Sequence, residues 1–320
     1  MEARTLSPAG QLGTRLRTAA AGFSLPALGA VLIWSVNPTA MKVAVAEIDP
    51  YLIGIIRMYF AGFVMLIALF FVEGWVWVAP RHWPRLLLCS AVGKGVNAIC
   101  WQVGIAKSTA SNSALISSMA PVMALAIALA LRQEKLVRRR VLGMAVAMAG
   151  VALVMQAHGF DLRAEGFVGD LLLLGSALSW AFYNVSAVPL LHHNSPLKVT
   201  AWTMLLGATS LLVFSPWLVS SWDVSQASLA AWAGVGYTSF VGSVVAMLMW
   251  NRAVSSLGAT GTLIYSYLSP VLAVAVAAAL LGERLSFIQA TGAAFVLAGV
   301  ALSVGQRGSR AKAASREGRP

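Results

Sequence analysis

Residues Trp250–Leu302 read WNRAVSSLGATGTLIYSYLSPVLAVAVAAALLGERLSFIQATGAAFVLAGVAL, and the chain carries this stretch twice. Moved back 149 positions, it lies without a gap on Trp101–Leu153. Trp101 then meets Trp250, Pro121 meets Pro270, Glu134 meets Glu283, and Gly150-Val151-Ala152-Leu153 meets Gly299-Val300-Ala301-Leu302. Shared apolar composition does not produce so many matches in register, so this is an internal repeat. Each copy is two apolar runs of membrane length joined at an acidic-basic pair, Glu134-Lys135 or Glu283-Arg284.

The rest of the chain has the same character. Hydrophobic residues make up 59% and charged residues 11%, with a mean hydropathy of +0.78. Soluble domains carry about 25% charge, and apolar runs of 18 or more residues are long enough to cross a bilayer as helices. The net charge of +12 does not point to nucleic acid, because the basic residues gather at the ends of apolar runs and in the tails. The two cysteines, Cys89 and Cys100, fall eleven residues apart in one predicted helix, about 16 Å along its axis. That is too far for a disulfide. His192-His193 reads as a solvated turn, and neither a metal site nor a cofactor is expected.

The pattern predicts an all-α membrane protein with ten transmembrane helices, near 24–45, 51–72, 84–105, 110–131, 138–157, 168–190, 197–219, 228–252, 259–281 and 286–305. Residues 1–23 form an N-terminal arm, 24–157 a first five-helix unit, 158–305 a second, and 306–320 a basic tail. The apolar run after Arg15 and Arg17 is read as a retained first span, not a signal peptide. With both termini in the cytoplasm, the outer side holds only Lys42, Lys107, Arg163 and Arg284 of the 23 Lys and Arg, and the spans hold Arg57 and Lys94. Positive residues mark the cytoplasmic face. An odd number of spans per unit inverts the second against the first. The charge of loop 132–140 and its sparse copy near Gly282–Ser286 agree with opposite faces. Leu28-Gly29 and Trp34 of the first unit also align with Leu174-Gly175 and Trp180, and with one extra residue Asn37 aligns with Asn184. Inverted repeats are a common plan for secondary transporters, with the solute site near the midplane.

Two five-helix units, a proline in each fourth helix, an acid at its end and a glycine-rich fifth helix resemble the EamA-type family of the drug/metabolite transporter superfamily. Here these features are Ala120-Pro121…Glu134-Lys135-Leu136…Gly143…Gly150 and Ser269-Pro270…Glu283-Arg284-Leu285…Gly292…Gly299, with the second-helix Arg57 after Asp49-Pro50. The resemblance implies export or exchange of small organic solutes by alternating access, without ATP. Amino acids, other metabolites and drugs all remain in view as solutes. Gly93-Lys94-Gly95 lacks the flanking residues of a phosphate loop.

Several residues could carry the chemistry. Lys94, Asn97 and Trp101 follow at helical spacing, so one face would present ammonium, amide and indole to a carboxylate. Lys94 could instead snorkel to the interface. Trp34 with Asn37, and Trp180 with Tyr183 and Asn184, approach the midplane from the two units, lining a solute path or gluing helices. Trp250 and Tyr265 complete the expected substrate-binding set. Arg57 is given a gating or structural role, pairing with Glu47 or Asp49 or lining the outer vestibule. Pro38, Pro121 and Pro270 are read as kinks inside spans, static or hinged. Gly143, Ala147, Gly150, Gly292 and Gly299 form a small-residue seam that packs the fifth helices together. Trp75, Trp77, Trp83, Trp217, Trp222 and Trp232 read as interface belts. Asp170 stands at a span entrance as a helix cap, and no acid stands in mid-span to declare a proton coupling.

The expected protein is therefore a carrier in the cell inner membrane whose partners are a small-molecule solute and the lipid bilayer. Monomer and homodimer are both compatible with this. An intramembrane enzyme would need a nucleophile-base pair or an acidic cluster in mid-span, and neither is present. A membrane scaffold is the remaining rival, separable by solute flux.

Overall fold

The computed structural model describes residues 24–74, 77–107, 116–156, 166–214, 227–272 and 287–304, and every regular element among them is helical. Helix α1 (Leu25–Val45) opens at Ser24, whose hydroxyl accepts from the Ala27 N–H. Helix α2 (Pro50–Glu73) opens at Asp49, whose carboxylate accepts from Tyr51 and Leu52. These caps satisfy amides that have no partner within the helix. Next come α3 (Trp83–Ser90), a π-helical segment (Ala91–Val96) and α4 (Asn97–Lys107) as one rod, then α5 (Ala120–Ala130) and α6 (Arg138–Gln156). The second unit supplies α7 (Phe167–His193) and α8 (Pro196–Phe214). A second rod follows, of α9 (Leu229–Tyr237), a π-helical segment (Thr238–Val245) and α10 (Ala246–Leu263). A 3-10 turn (Ile264–Tyr267) and α11 (Phe287–Val304) complete it.

Tyr51–Glu73, Phe167–His193, Pro196–Val213 and the kinked Leu229–Leu272 are long and apolar enough to cross a membrane. Leu25–Val36, Ala120–Ala130 and Ala290–Ser303 are shorter apolar helices. Phe60, Phe63, Ile67, Phe71 and Leu297 stand exposed on the outside, as a lipid-facing perimeter requires. The described helices do not resolve into the ten separate spans expected. The eighth and ninth are continuous from Leu229 and change direction at Gly258, with φ 73° and ψ 174°. That left-handed φ is one that glycine adopts without strain.

Pro121 stands in the first turn of α5, just after a turn at Ser118-Met119, and not inside a continuous span as expected. Proline has no N–H for the carbonyl four residues back and its ring crowds that carbonyl, so α5 opens before it. Pro270 lies within the helical stretch that ends at Leu272, just after the 3-10 turn. The side chains of Asn37 and Pro38 lie outside the described residues, as do Trp75, Trp217, Trp222, Glu283, 1–23 and 306–320.

Helices that the repeat equates pack against each other antiparallel. On α2 and α8, Gly62 backs onto Leu205, the Tyr59 and Thr209 hydroxyls are 3.0 Å apart, and Glu73 pairs with Lys198 at 3.6 Å. On α6 and α11, Gly143 backs onto Gly299 and Ser303, while Gly150 backs onto Gly292 and Val296. A Cβ on Gly299 would press on the Ala147 backbone and stand 2.5 Å from the Gly143 carbonyl. The seam of small residues joins the fifth helices as the sequence predicts.

Candidate solute site

The two π-helical segments occupy matching positions: 91–96 moved forward 149 residues becomes 240–245, inside Thr238–Val245. π-helical turns are rare and cluster at functional sites. The first segment places Lys94 in the interior. Its side chain is buried, with Nζ 3.9 Å from the Tyr183 ring centre, 4.7 Å from that of Trp180 and 3.5 Å from Met247 Sδ. Gly207 makes this possible on the α8 side, because it backs onto the Lys94 stem and Met58.

Around Lys94 four rings fill the centre. Trp34 lies 5.1 Å from Trp250 and 5.9 Å from Trp180, Trp180 lies 5.8 Å from Trp250, and Trp180 stacks on Tyr183 at 5.4 Å. Their polar atoms are held. Trp34 Nε1 donates to the Gly242 carbonyl at 2.9 Å, inside the second π segment. Trp250 Nε1 donates to Asn184 Oδ1 at 2.7 Å, and Asn184 Nδ2 donates to the Trp180 carbonyl. Asn251 Nδ2 donates to Tyr183 Oη at 2.8 Å and to Thr200 Oγ1 at 2.7 Å. The network ties α1, α7, α8, α10 and the second π segment to one another.

Among the described residues no carboxylate contacts Lys94. Taking an ammonium out of water costs several kcal/mol, and each desolvated ring face returns about 2 kcal/mol.

The structure thus brings together Lys94, Trp34, Trp180, Tyr183, Asn184 and Trp250 and separates others. Asn97 Nδ2 donates to the Ser176 carbonyl and hydroxyl, both at 2.9 Å, and so ties α4 to α7. Trp101 is 40% exposed, whereas its repeat mate Trp250 is fully buried. Lys94 lies within the π-helical segment, so i→i+5 bonding takes it out of the 3.6-residue register that would put it on one face with Asn97 and Trp101. Tyr265 is buried at the start of α1, where its hydroxyl accepts from the Ser24 N–H at 2.8 Å. Arg57 does not take the partners expected for it. Glu47 holds the Ser228 N–H and hydroxyl, Asp49 caps α2, and Arg57 Nε is buried without a partner among the described groups. Asn251 and Thr200 were missed. The sequence held one sign of Asn251: it aligns with Gln102, so both copies place an amide after the tryptophan.

A cavity of 510 Å³ lies to one side of the four rings. Loop residues Gln133–Lys135, the start of α6, the end of α7 and the kink at Gly258 line this cavity. Val188 and Val254 in its wall are one helical turn, about 5.4 Å, from Asn184 and Trp250. At the opposite end of the Leu229–Leu257 stretch, Glu47 binds Ser228, the residue that caps α9. Among the described residues no cluster of His, Cys, Asp or Glu has a metal-site arrangement.

The EamA-like transporter family matches this chain over residues 24–156 and again over 167–305. The chain belongs to that family. It is a multi-pass membrane transporter and not an enzyme. The uncharacterized transporter YyaM of Bacillus subtilis is 29% identical over 255 residues, 78% of this chain and 82% of that one. A probable terminal-alkyne amino-acid exporter of Streptantibioticus cattleyicolor is 28% identical over 239 residues, 75% of this chain and 79% of that one. A probable amino-acid metabolite efflux pump of Salmonella typhimurium is 24% identical over 293 residues, 87% of this chain and 93% of that one. A crystal structure superposes with a TM-score of 0.75 at 19% identity, covering 92% of this chain and 98% of the other, a likeness of fold.

Proposed function

We propose that this protein is a secondary transporter, an exporter or exchanger, of small organic metabolites that carry a carboxylate, amino acids first among them. The observation that carries the reading is Lys94: a buried amine on a π-helical turn, faced by two aromatic rings and, among the described residues, by no carboxylate in contact. A solute carboxylate would neutralise it, while Trp34, Trp180 and Trp250 would pack an apolar side chain. Two relatives named for amino-acid export agree with that solute class.

Transport proceeds by alternating access between two inverted five-helix halves, 24–157 and 158–305, in ten spans of the inner membrane with both termini cytoplasmic. The antiparallel packing of α2 with α8 and of α6 with α11 supports inversion. The off-centre cavity, one turn from the ring cluster, supports access from one end at a time. Protein reconstituted in liposomes and screened for flux against amino acids, their decarboxylated amines and other metabolites tests this. Flux of carboxylate-bearing solutes that falls at least about tenfold in Lys94→Met, at unchanged expression, is the expected result. Equal flux in that variant, or flux of the amines alone, removes the reading.

A further inference from the structure

The off-centre cavity has a chemistry of its own. Among the described residues its wall carries Lys135, Arg139 and Arg140 together with the carboxylate of Glu134. One Glu134 oxygen pairs with Arg140, and the other stands 3.4 Å from the Thr260 N–H in the opposite unit. The two side chains of the pair are only 16% and 17% exposed, so this is a sheltered ion pair inside a recess. The volume of 510 Å³ falls within the roughly 300–1,000 Å³ typical of small-molecule sites.

We infer that this cavity is a binding site for a carboxylate-bearing small molecule, and that Glu134 is the internal competitor for its place. An incoming carboxylate takes the same two donors, the Arg140 guanidinium and the Thr260 N–H. Lys135 balances the added charge, and a displaced Glu134 no longer ties its loop to the kink after Gly258. The occupant then lies one helical turn from the Asn184–Trp250 pair. The inference rests on the transport reading for where that molecule goes next, while its binding is measured without flux.

The experiment uses the full chain in detergent, with Cys100→Ser to remove the partly exposed thiol and Ser255→Cys as a reporter on the cavity wall; Cys89 is buried. A sulfonate-bearing methanethiosulfonate is expected to label the reporter at least about fivefold faster than an ammonium-bearing one, as a cationic recess concentrates anions. Benzoate protects the reporter and uncharged benzamide does not. Glu134→Gln lowers the half-protecting benzoate concentration about three- to tenfold, and Arg140→Gln raises it by at least as much at an unchanged thermal midpoint. Equal protection by benzoate and benzamide, or no change with Glu134→Gln, overturns the inference. Lys94→Met separates the two readings. Lost flux with benzoate protection intact is the result expected of two sites in series, whereas flux that depends on Lys94 in a protein that benzoate never protects retires the cavity alone.

Discussion

The two π-helical segments share a backbone and differ in chemistry. Both interrupt the third helix of their unit at matching positions, and both place a glycine against a first-helix residue of the other unit or its neighbour: Gly93 backs onto Tyr183, and the Gly242 carbonyl takes the Trp34 indole. The first then presents Lys94 where the second presents Ser243, whose hydroxyl turns back to the Thr238 carbonyl five residues earlier. Duplication copied the distortion, and divergence put the only buried ammonium of the pair on one side. A symmetric scaffold thereby acquires a single, asymmetric anchoring point.

Exchanging the two residues is the strongest way to break that comparison. In Lys94→Ser with Ser243→Lys, the ammonium moves away from Tyr183 and Trp180, towards the Trp34 side. Flux is expected to fall on the order of a hundredfold relative to the parent, measured in liposomes at matched incorporation. A swapped protein that transports as well as the parent would make the halves interchangeable and the ring pair irrelevant.

The fifth-helix seam tests the shared scaffold itself. Gly299→Leu forces side-chain atoms into the Ala147 and Gly143 backbones. Overpacking of this kind costs about 1–3 kcal/mol, and rigid backbone neighbours put it at the upper end. Gly236→Ala, with nothing within 4 Å of the added Cβ, is the control that should leave the thermal midpoint unchanged. Equal midpoints for both variants would remove the seam as the contact joining the units.

Trp250 and Trp101 sharpen the comparison further, because the repeat equates them and the structure does not. Trp250→Phe leaves the buried Asn184 Oδ1 without its indole donor, at a cost of about 1–3 kcal/mol. Trp101→Phe, at a half-exposed position, should cost far less, as read by thermal unfolding in the same detergent. The repeat, the helical class and the small-residue seam were legible in the sequence because each depends on composition and spacing. Lys94, Trp34, Trp180, Tyr183, Asn184 and Trp250 were legible too, since buried polar and aromatic residues within apolar runs stand out. Asn97 and Trp101 were misplaced because an α-helical wheel assumes a register that the π segment breaks. Arg57 was given the nearest acids, but Asp49 was needed for a helix cap and Glu47 for a residue 181 positions away. The Gly258 kink was legible only as a break between two separate spans, 228–252 and 259–281, because a continuous bent helix and two helices joined by a short turn share one apolar pattern.

Among the carboxylates that tie one unit to the other, Glu47 should give the smallest effect and the clearest sign. Glu47 reaches across at one end to Ser228, accepting its N–H at 2.6 Å and its hydroxyl at 2.8 Å, while that hydroxyl accepts from Ala231 and caps α9. The backbone bond first and the hydroxyl second hold the Glu47 carboxyl below its ordinary 4.5. A depressed value in the folded protein means a contribution that is fully present above pH 4.5 and is lost as the pH falls through the folded value. Glu47 is exposed, so solvent screening keeps that contribution small. Glu47→Ala should therefore melt slightly below the parent at neutral pH, and the gap should close on acidification below pH 4.5. A gap that stays constant through that window would mean that the carboxylate charge is not what holds Ser228, and that the two ends of the molecule are tied by different physics.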